Sequence, residues 1–442
     1  MFNAIGRIFR TPDLRRKIGF TLGIVALFRL GSFIPAPFVD FGNVQACLAS
    51  TQGNTSGLYE LVNVFSGGAL LQLSIFALGI MPYITASIIV QLLRVVIPRF
   101  ETLYKEGQTG QAKLTQYTRY LTIALGVLQS TTLITVARSG ALFGNNVGPC
   151  GDLITAQGNT WYGMMLMVIT MTAGTGVIMW MGELITERGI GNGMSLLIFT
   201  SIAATFPASL WAILQARGVE TFLVVLAIGL VIVLAVVFVE QSQRRVPVQY
   251  AKRMVGRRTY GGNNTYIPIK VNMAGVVPVI FASSLLYLPA LIAQFNQPAA
   301  GQEPAAWVVW IQNYLVQGDH PLYMLLYFLL IVGFTYFYVA ITFNPEEVAD
   351  NMKKYGGFIP GIRAGRPTAE YLDYVLTRVT LPGSLYLGLV ALIPLIAFVL
   401  VGANQNFPFG GASILIIVGV GLETVKQIDA QLQQRHYEGL LR

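Results

Sequence analysis

Residues 59–98 read YELVNVFSGGALLQLSIFALGIMPYITASIIVQLLRVVIP, and the 33 residues between Glu60 and Arg94 carry no charge. About 20 apolar residues suffice to cross a bilayer. At about 1.5 Å per residue, a helix of that length would reach ~50 Å, against a hydrocarbon core of ~30 Å. The surplus needs a place, and Gly67-Gly68 sits inside it.

The whole chain supplies the setting. It has 442 residues, 54% hydrophobic and only 11% charged, where a soluble domain carries about 25% charged residues. The composition describes an integral, polytopic, all-α membrane protein. The apolar runs are long and continuous, unlike the ten-residue alternations of a β-barrel. They fall near 18–38, 69–97, 120–137, 159–181, 190–212, 221–239, 272–293, 321–342, 379–401 and 411–428, which makes ten expected spans. The first is not a cleaved signal, because no small-x-small site follows it.

Basic residues set the orientation. Of 29 Lys and Arg, 26 fall on the side of the N-terminus, two (Arg138 and Arg217) on the other, and Arg29 lies within a span. This places both termini in the cytoplasm of a multi-pass membrane protein and accounts for the net charge of +9. Trp161 and Trp180 bracket the fourth span as interfacial anchors.

The opening stretch now has a constraint. Residues 35–57 lack Lys and Arg, while Arg94, Arg99, Lys105, Lys113 and Arg119 follow it. The chain therefore crosses an odd number of times between them, and one span leaves about a dozen residues over. These enter from outside and turn back, most easily at Gly67-Gly68. Irregular backbone at that depth must be buried in protein or line a watery cavity. The reading is a re-entrant half-helix over about 57–66; the alternative is one tilted helix with an interfacial extension.

Seven blocks of sequence carry a resemblance. They are FSGGALLQLSIFALGIMPYITASIIVQLL (65–93), GQAKLTQYTRYLT (110–122), GELITERGIGNGMSLLIF (182–199), VEQSQRRVPVQYAKR (239–253), IPIKVNMAGVVPVIFASSLL (267–286), FNPEEVADNMKKYGGFIPGIRAG (343–365) and FGGASILIIVGV (409–420). In order and at ten-span spacing, they resemble the SecY family of bacterial protein-conducting channels.

The resemblance implies two pseudo-symmetric five-helix halves. These would be 18–212 and 221–428, with an external hinge at 213–220, a cytoplasmic N-terminus at 1–17 and a cytoplasmic tail at 429–442. It implies a plug over about 57–68, including Leu58, Asn63, Phe65, Ser66, Gly67 and Gly68. Its pore ring falls on Ile80, Ile84, Ile198, Ile280 and Ile416, with Met194 one turn before Ile198 able to join. Isolated from the resemblance, these side chains read as lipid-facing or core isoleucines. A lateral gate would run between spans two and three and spans seven and eight, with Gln91, Gln129 and Asn272 as polar members. Near helix ends, such groups otherwise read as facing headgroups.

Two cytoplasmic loops, 240–271 and 343–378, would dock the ribosome or the SecA motor ATPase. Their basic residues are Arg244, Arg245, Lys252, Arg253, Arg257 and Arg258 in the first, and Lys353, Lys354, Arg363 and Arg366 in the second. Such loops also enforce topology and touch anionic lipids. Tyr260 to Asn264 reads as a turn between short strands. The family further implies SecE and SecG subunits, with signal peptides and nascent membrane helices as clients.

Other classes fit less well. A secondary transporter with a broken-helix central site shares the interrupted stretch, but coupling wants acids or histidines at mid-span. Here Glu183, Glu240, Glu423, His320 and His436 are peripheral. An enzyme is not expected, since HExxH, GxSxG and paired mid-span aspartates are absent. No cofactor is expected either: GIGNG follows a helical span, not a strand. Two cysteines, Cys47 and Cys150, cannot make a metal site. Both fall in outer loops; two free thiols are expected, with a bridge as the alternative. Arg29 needs a partner or a route to the interface and reads as structural or snorkelling.

Overall fold

The computed structural model describes residues 11–50, 66–138, 153–250, 253–255, 258–260, 265–295, 305–316, 320–401 and 411–440. A helix lies at each of the ten expected positions. Among the described residues, six helices are long and apolar enough to span a bilayer, and a seventh arises if a bent pair counts as one.

The first helix, α1 (Pro12–Gly31), starts with Pro12 in its first turn, where proline costs no hydrogen bond. After it comes α2 (Phe41–Ser50). Asp40 starts α2 by accepting from the Gly42 and Asn43 amides. The second expected span differs from its sequence reading. Residues 67–80 form successive turns, and the regular helix α3 (Met81–Val96) begins only at Met81. The causes are local and tertiary. Gly67, Gly68, Leu73 and Gly79 all have positive φ, and Pro82 fixes a helix start. The Ala36 amide donates to Leu73 O at 2.9 Å, and the Ile75 amide to Ile34 O at 2.9 Å. These bonds divert backbone groups from a helical ladder to residues 34–36, around an isolated Pro35↔Ser74 bridge.

A sharp corner follows α3. Ile97 is extended, as the residue before a proline prefers, and α4 (Pro98–Lys105) leaves at 102°. The Arg94 guanidinium sits 3.4 Å from the Tyr104 ring centroid across this corner. Next come α5 (Gln108–Arg138) and α6 (Trp161–Arg188), clamped by a two-point Arg119–Glu183 ion pair at 2.7 and 2.9 Å. The helix α7 (Gly193–Gln241) covers the fifth and sixth positions and breaks at Gly218, with φ 80° and ψ 176°.

The first basic loop folds as strands β1 (Gln243–Tyr250), β2 (Arg253–Val255), β3 (Arg258–Tyr260) and β4 (Thr265–Lys270). β1 pairs antiparallel with β4, from Gln243↔Lys270 to Val248↔Thr265. β2 and β3 make a tight hairpin ending at Val255↔Arg258. The expected turn at 260–264 is flanked by β3 and β4, but 261–264 lie outside the described residues. The chain then runs through α8 (Val277–Phe295), α9 (Ala306–Ile311), a short π-helical stretch (Gln312–Val316), α10 (Pro321–Thr342), α11 (Pro345–Lys354), β5 (Gly357–Phe358), α12 (Arg366–Val401) and α13 (Gly411–Leu440). β5 adds to the end of β1 through Gln249↔Phe358 and Tyr250↔Gly357. The two basic loops are thereby one body with its own apolar core of Val246, Val248, Ile269, Met352, Ile359 and Leu372.

Cys47 is wholly buried and held in a disulfide. The chain's other cysteine, Cys150, lies outside the described residues. This corrects the expectation of free thiols. Sequence spacing carried no sign of the pairing, which depends on the fold: residues 38–40 bond to 153–155, with the Asp40 amide on Leu153 O and the Thr155 amide on Phe38 O, each at 3.0 Å. That contact draws the start of α2 and the segment before α6 together.

Candidate functional site

Four separate stretches deliver isoleucines to one buried apolar cluster, to which α1 and α6 also contribute. The turn segment 67–80 delivers Ile80 as the residue capping α3, and Ile84 follows one turn on. α7 delivers Ile198. Its start is fixed by Asn192, whose side chain accepts from the Met194 and Ser195 amides, a standard N-cap. The preceding GIGNG turn serves close packing: a Cβ on Gly193 would lie 1.9 Å from Gly182 O. α8 delivers Ile280, and α13 delivers Ile416. Ile80, Ile198, Ile280 and Ile416 are 1–7% exposed and share one buried cluster, with Ile84 and Met194 packed against it. Residues more than 300 positions apart thus meet.

The turn segment that positions Ile80 is mostly buried in protein, as irregular backbone away from water requires. Phe76 stacks on Phe28 of α1, with ring centroids 6.0 Å apart. Gly31 and Gly174 admit it: a Cβ on Gly31 would lie 2.2 Å from the Phe76 ring, and one on Gly174 would lie 2.2 Å from Ile75 O. Of the six residues read as plug, Leu58, Asn63 and Phe65 lie outside the described residues. Ser66 is fully buried and accepts from the Leu70 amide at 3.0 Å. Gly67 and Gly68 have φ of +69° and +89°, the left-handed region open to glycine. Arg29 finds its partner here, donating from Nη1 to Gly67 O at 2.5 Å.

The polar residues read as a gate do not form one network. α8 touches both α3 and α5. Gln91 of α3 is half-buried and donates at 3.4 Å to Ser87 on its own helix. Gln129 of α5 is half-buried and has no hydrogen bond to a described residue. Asn272 is buried just before α8 and donates at 2.6 Å to Glu240 and at 3.2 Å to Gly275 O. Its bonds stay within the second half of the chain.

The loop body presents exposed cations. Arg244, Arg245, Lys353, Lys354, Arg363 and Arg366 are all at the surface. Arg245 lies over the Tyr266 ring at 4.9 Å, and Arg366 pairs with Glu370 at 3.1 Å. Arg253 and Arg258 sit on the β2–β3 hairpin; Lys252 and Arg257 lie outside the described residues. Sequence reasoning missed one feature of this surface. Tyr355, 78% exposed, stands beside Lys353 and Lys354 at the end of α11. Its signal was an aromatic between a Lys pair and Gly356-Gly357, a turn where side chains project.

The architecture defines a class: an all-α polytopic membrane protein whose helices, from both parts of the chain, share one isoleucine-rich buried cluster. The family model SecY matches residues 74–425. The chain belongs to the SecY family. It is 66% identical to the protein translocase subunit SecY of Streptomyces galbus, 62% to that of Micrococcus luteus and 58% to that of Mycobacterium tuberculosis, each over all of both chains. Among solved structures it is similar to a protein-conducting channel, with TM-score 0.60 and 20% identity, covering 93% of this chain and 91% of that one. It is also similar to Sec61 in the canine ribosome–channel complex, with TM-score 0.57 and 19% identity over the same shares.

Proposed function

We infer that this chain is the channel-forming subunit of a bacterial protein translocase. It moves unfolded secretory chains across the plasma membrane and releases apolar helices sideways into the bilayer. The observation that carries this reading is the shared burial of Ile80, Ile198, Ile280 and Ile416, with Ile84 beside them. A ring of branched aliphatic side chains dewets a constriction and so blocks ions. The same side chains hop rotamers and fit around varied residues of a passing chain. Nothing in the ring transfers a group or a proton, so the site conducts and does not catalyse.

The remaining parts follow from that role. Residues 58–68 stopper the outer funnel when the channel rests. The seam where α8 meets α3 and α5 opens to lipid, with Gln91, Gln129 and Asn272 near it as adjustable polar contacts, each worth about 0.6–2 kcal/mol in a membrane. The break at Gly218 falls in the 213–220 segment and serves as the hinge between 18–212 and 221–428. A SecE-type subunit clamps the halves and a SecG-type subunit lies at the periphery. The cytoplasmic loop body docks the ribosome or the SecA motor, and its cations also meet anionic lipid. Both termini are cytoplasmic. The cycle is a population shift: partner binding loosens the seam, a signal helix wedges into it, the plug leaves, and the ring closes around the client.

A transporter reading is less favoured, because the sequence puts no acid or histidine at mid-span to couple an ion. The test is reconstitution with SecE- and SecA-type partners. ATP should drive a secretory precursor into a protease-protected state, and Arg363→Glu should abolish protection while the channel remains folded. No protection with the unaltered chain would contradict the reading. Full protection with Arg363→Glu would contradict the docking role of the exposed Arg363.

A further inference from the structure

We propose that Glu240 is a positioning residue for α8: through the Asn272 amide it clips the bend at Gly275, and so couples the cytoplasmic loop body to Ile280 of the ring that forms the channel's waist. The proposal rests on reading the loop body as the surface where the motor docks.

Two rails join the loop body to the spans. α7 ends at Gln241 and runs into β1; β4 ends at Lys270 and leads through 271–276 into α8. The rails are tied by the Gln243↔Lys270 pair and by the Val271 amide, which donates to Ser242 O at 3.1 Å. The next tie is made by side chains. Asn272 is 4% exposed, and its Nδ2 donates in two directions: to Glu240 Oε1 on the first rail at 2.6 Å, and to Gly275 O on its own rail at 3.2 Å. A side-chain amide nitrogen has two hydrogens to give, so both are engaged. Asn272 Oδ1 has no partner among the described residues, and these two bonds decide where the side chain sits.

Gly275 is the joint. Its φ of +61° lies in the region that glycine enters freely, and a Cβ there would meet nothing within 4 Å. The backbone on either side is held. Before the joint, α12 presses on the turn: a Cβ on Gly383 would lie 2.3 Å from Val271 O. After it, the Val279 and Ile280 amides donate to Val276 O at 3.1 and 3.3 Å. A rotation at Gly275 therefore swings α8 from its first turn, and that turn carries Ile280, 7% exposed in the shared cluster. The clip spans the joint, with Asn272 on the Gly275 carbonyl and Glu240 on Asn272. A hydrogen bond to a charged group is among the stronger single bonds a protein makes. A shift of the first rail against the second reaches the bend through this one carboxylate.

The test uses the full chain with its partner subunits in vesicles. Ile280→Cys serves as the probe, labelled with a membrane-impermeant maleimide; Cys47 is held in its disulfide and stays silent. With Glu240 in place, a saturating SecA-type motor carrying a non-hydrolysable ATP analogue should raise the labelling rate about fivefold or more, the lower end of a coupling between sites. In Glu240→Ala the motor should bind as before, and the rise should disappear. Glu240→Gln keeps an acceptor for Asn272 and should retain most of the rise. Should Glu240→Ala fail to assemble, Asn272→Ala removes the same bond from the other side and should give the same loss. A merely structural Glu240 would lower thermal stability and leave the motor-dependent rise intact, and that result overturns the proposal. Motor binding, measured alongside, separates the two readings. If the motor binds and no rise occurs with Glu240 in place, the docking surface stands and the coupling falls. If the motor does not bind, both fall.

Discussion

The backbone breaks twice within long apolar stretches, at 67–80 and at Gly218, and the two breaks have different surroundings. The first is mostly buried: Gly31 and Gly174 open space for it, residues 34–36 pair with it, and Arg29 takes the Gly67 carbonyl. The second meets nothing: a Cβ on Gly218 would have no neighbour within 4 Å, and Val219 beside it is 63% exposed. An unpaired backbone group away from water is costly, so a buried break must be built into the protein, whereas water satisfies the same groups at an exposed one.

Paired substitutions test this contrast. The largest effect is expected from Gly174→Leu, whose side chain would start 2.2 Å from Ile75 O. It should eliminate folded channel in detergent. Gly218→Ala has only its unusual φ/ψ to overcome, about 1–3 kcal/mol, and should still fold. Equal yields from the two would erase the distinction between the breaks. Next in size, Ile80→Ser with Ile280→Ser should raise ion conductance through reconstituted vesicles by orders of magnitude, since a polar waist stays wet. Val219→Ser beside the outer break should change nothing. A third measurement concerns the tether near the inner break. Alkylation should find no reactive thiol before reduction and two after it, and Cys47→Ser should lower stability by about 2–4 kcal/mol. The smallest change is expected from Arg119→Met, away from both breaks. Its ion pair with Glu183 is partly exposed, with side-chain exposures of 47% and 20%, and is worth about 1 kcal/mol or less. A larger loss would mean that the α5–α6 clamp supports the turn segment through Gly174.

Much of this arrangement was legible in the residues. The lopsided distribution of Lys and Arg, with the charge-free interval before Arg94, pointed to an interruption near Gly67-Gly68, and φ is positive at both; the entering segment 57–65 lies outside the described residues. The sequence did not show how far the irregular backbone continues. Residues 69–80 are apolar and look helical, and nothing marks Leu73 as left-handed until Pro35 and Ser74 are seen to pair. The disulfide of Cys47 was hidden for a similar reason, because the contact that draws its surroundings together joins residues more than 100 positions apart. Asn272 was read by its polarity near a span end, yet its partner Glu240 is set by how the β1–β4 ladder returns the chain. The union of the two basic loops rests on β5, a strand of two residues, too short to leave a periodic pattern.

The most direct test of the waist is photo-crosslinking during transit. A photoreactive residue would replace Ile84, Ile198 or Ile416 in turn, with Leu230 of α7, 61% exposed, as the comparison site. A secretory chain stalled in the membrane should be captured from all three isoleucine positions, while Leu230 captures lipid. Capture from Leu230 with none from the isoleucines would mean that the polypeptide does not pass through the buried cluster.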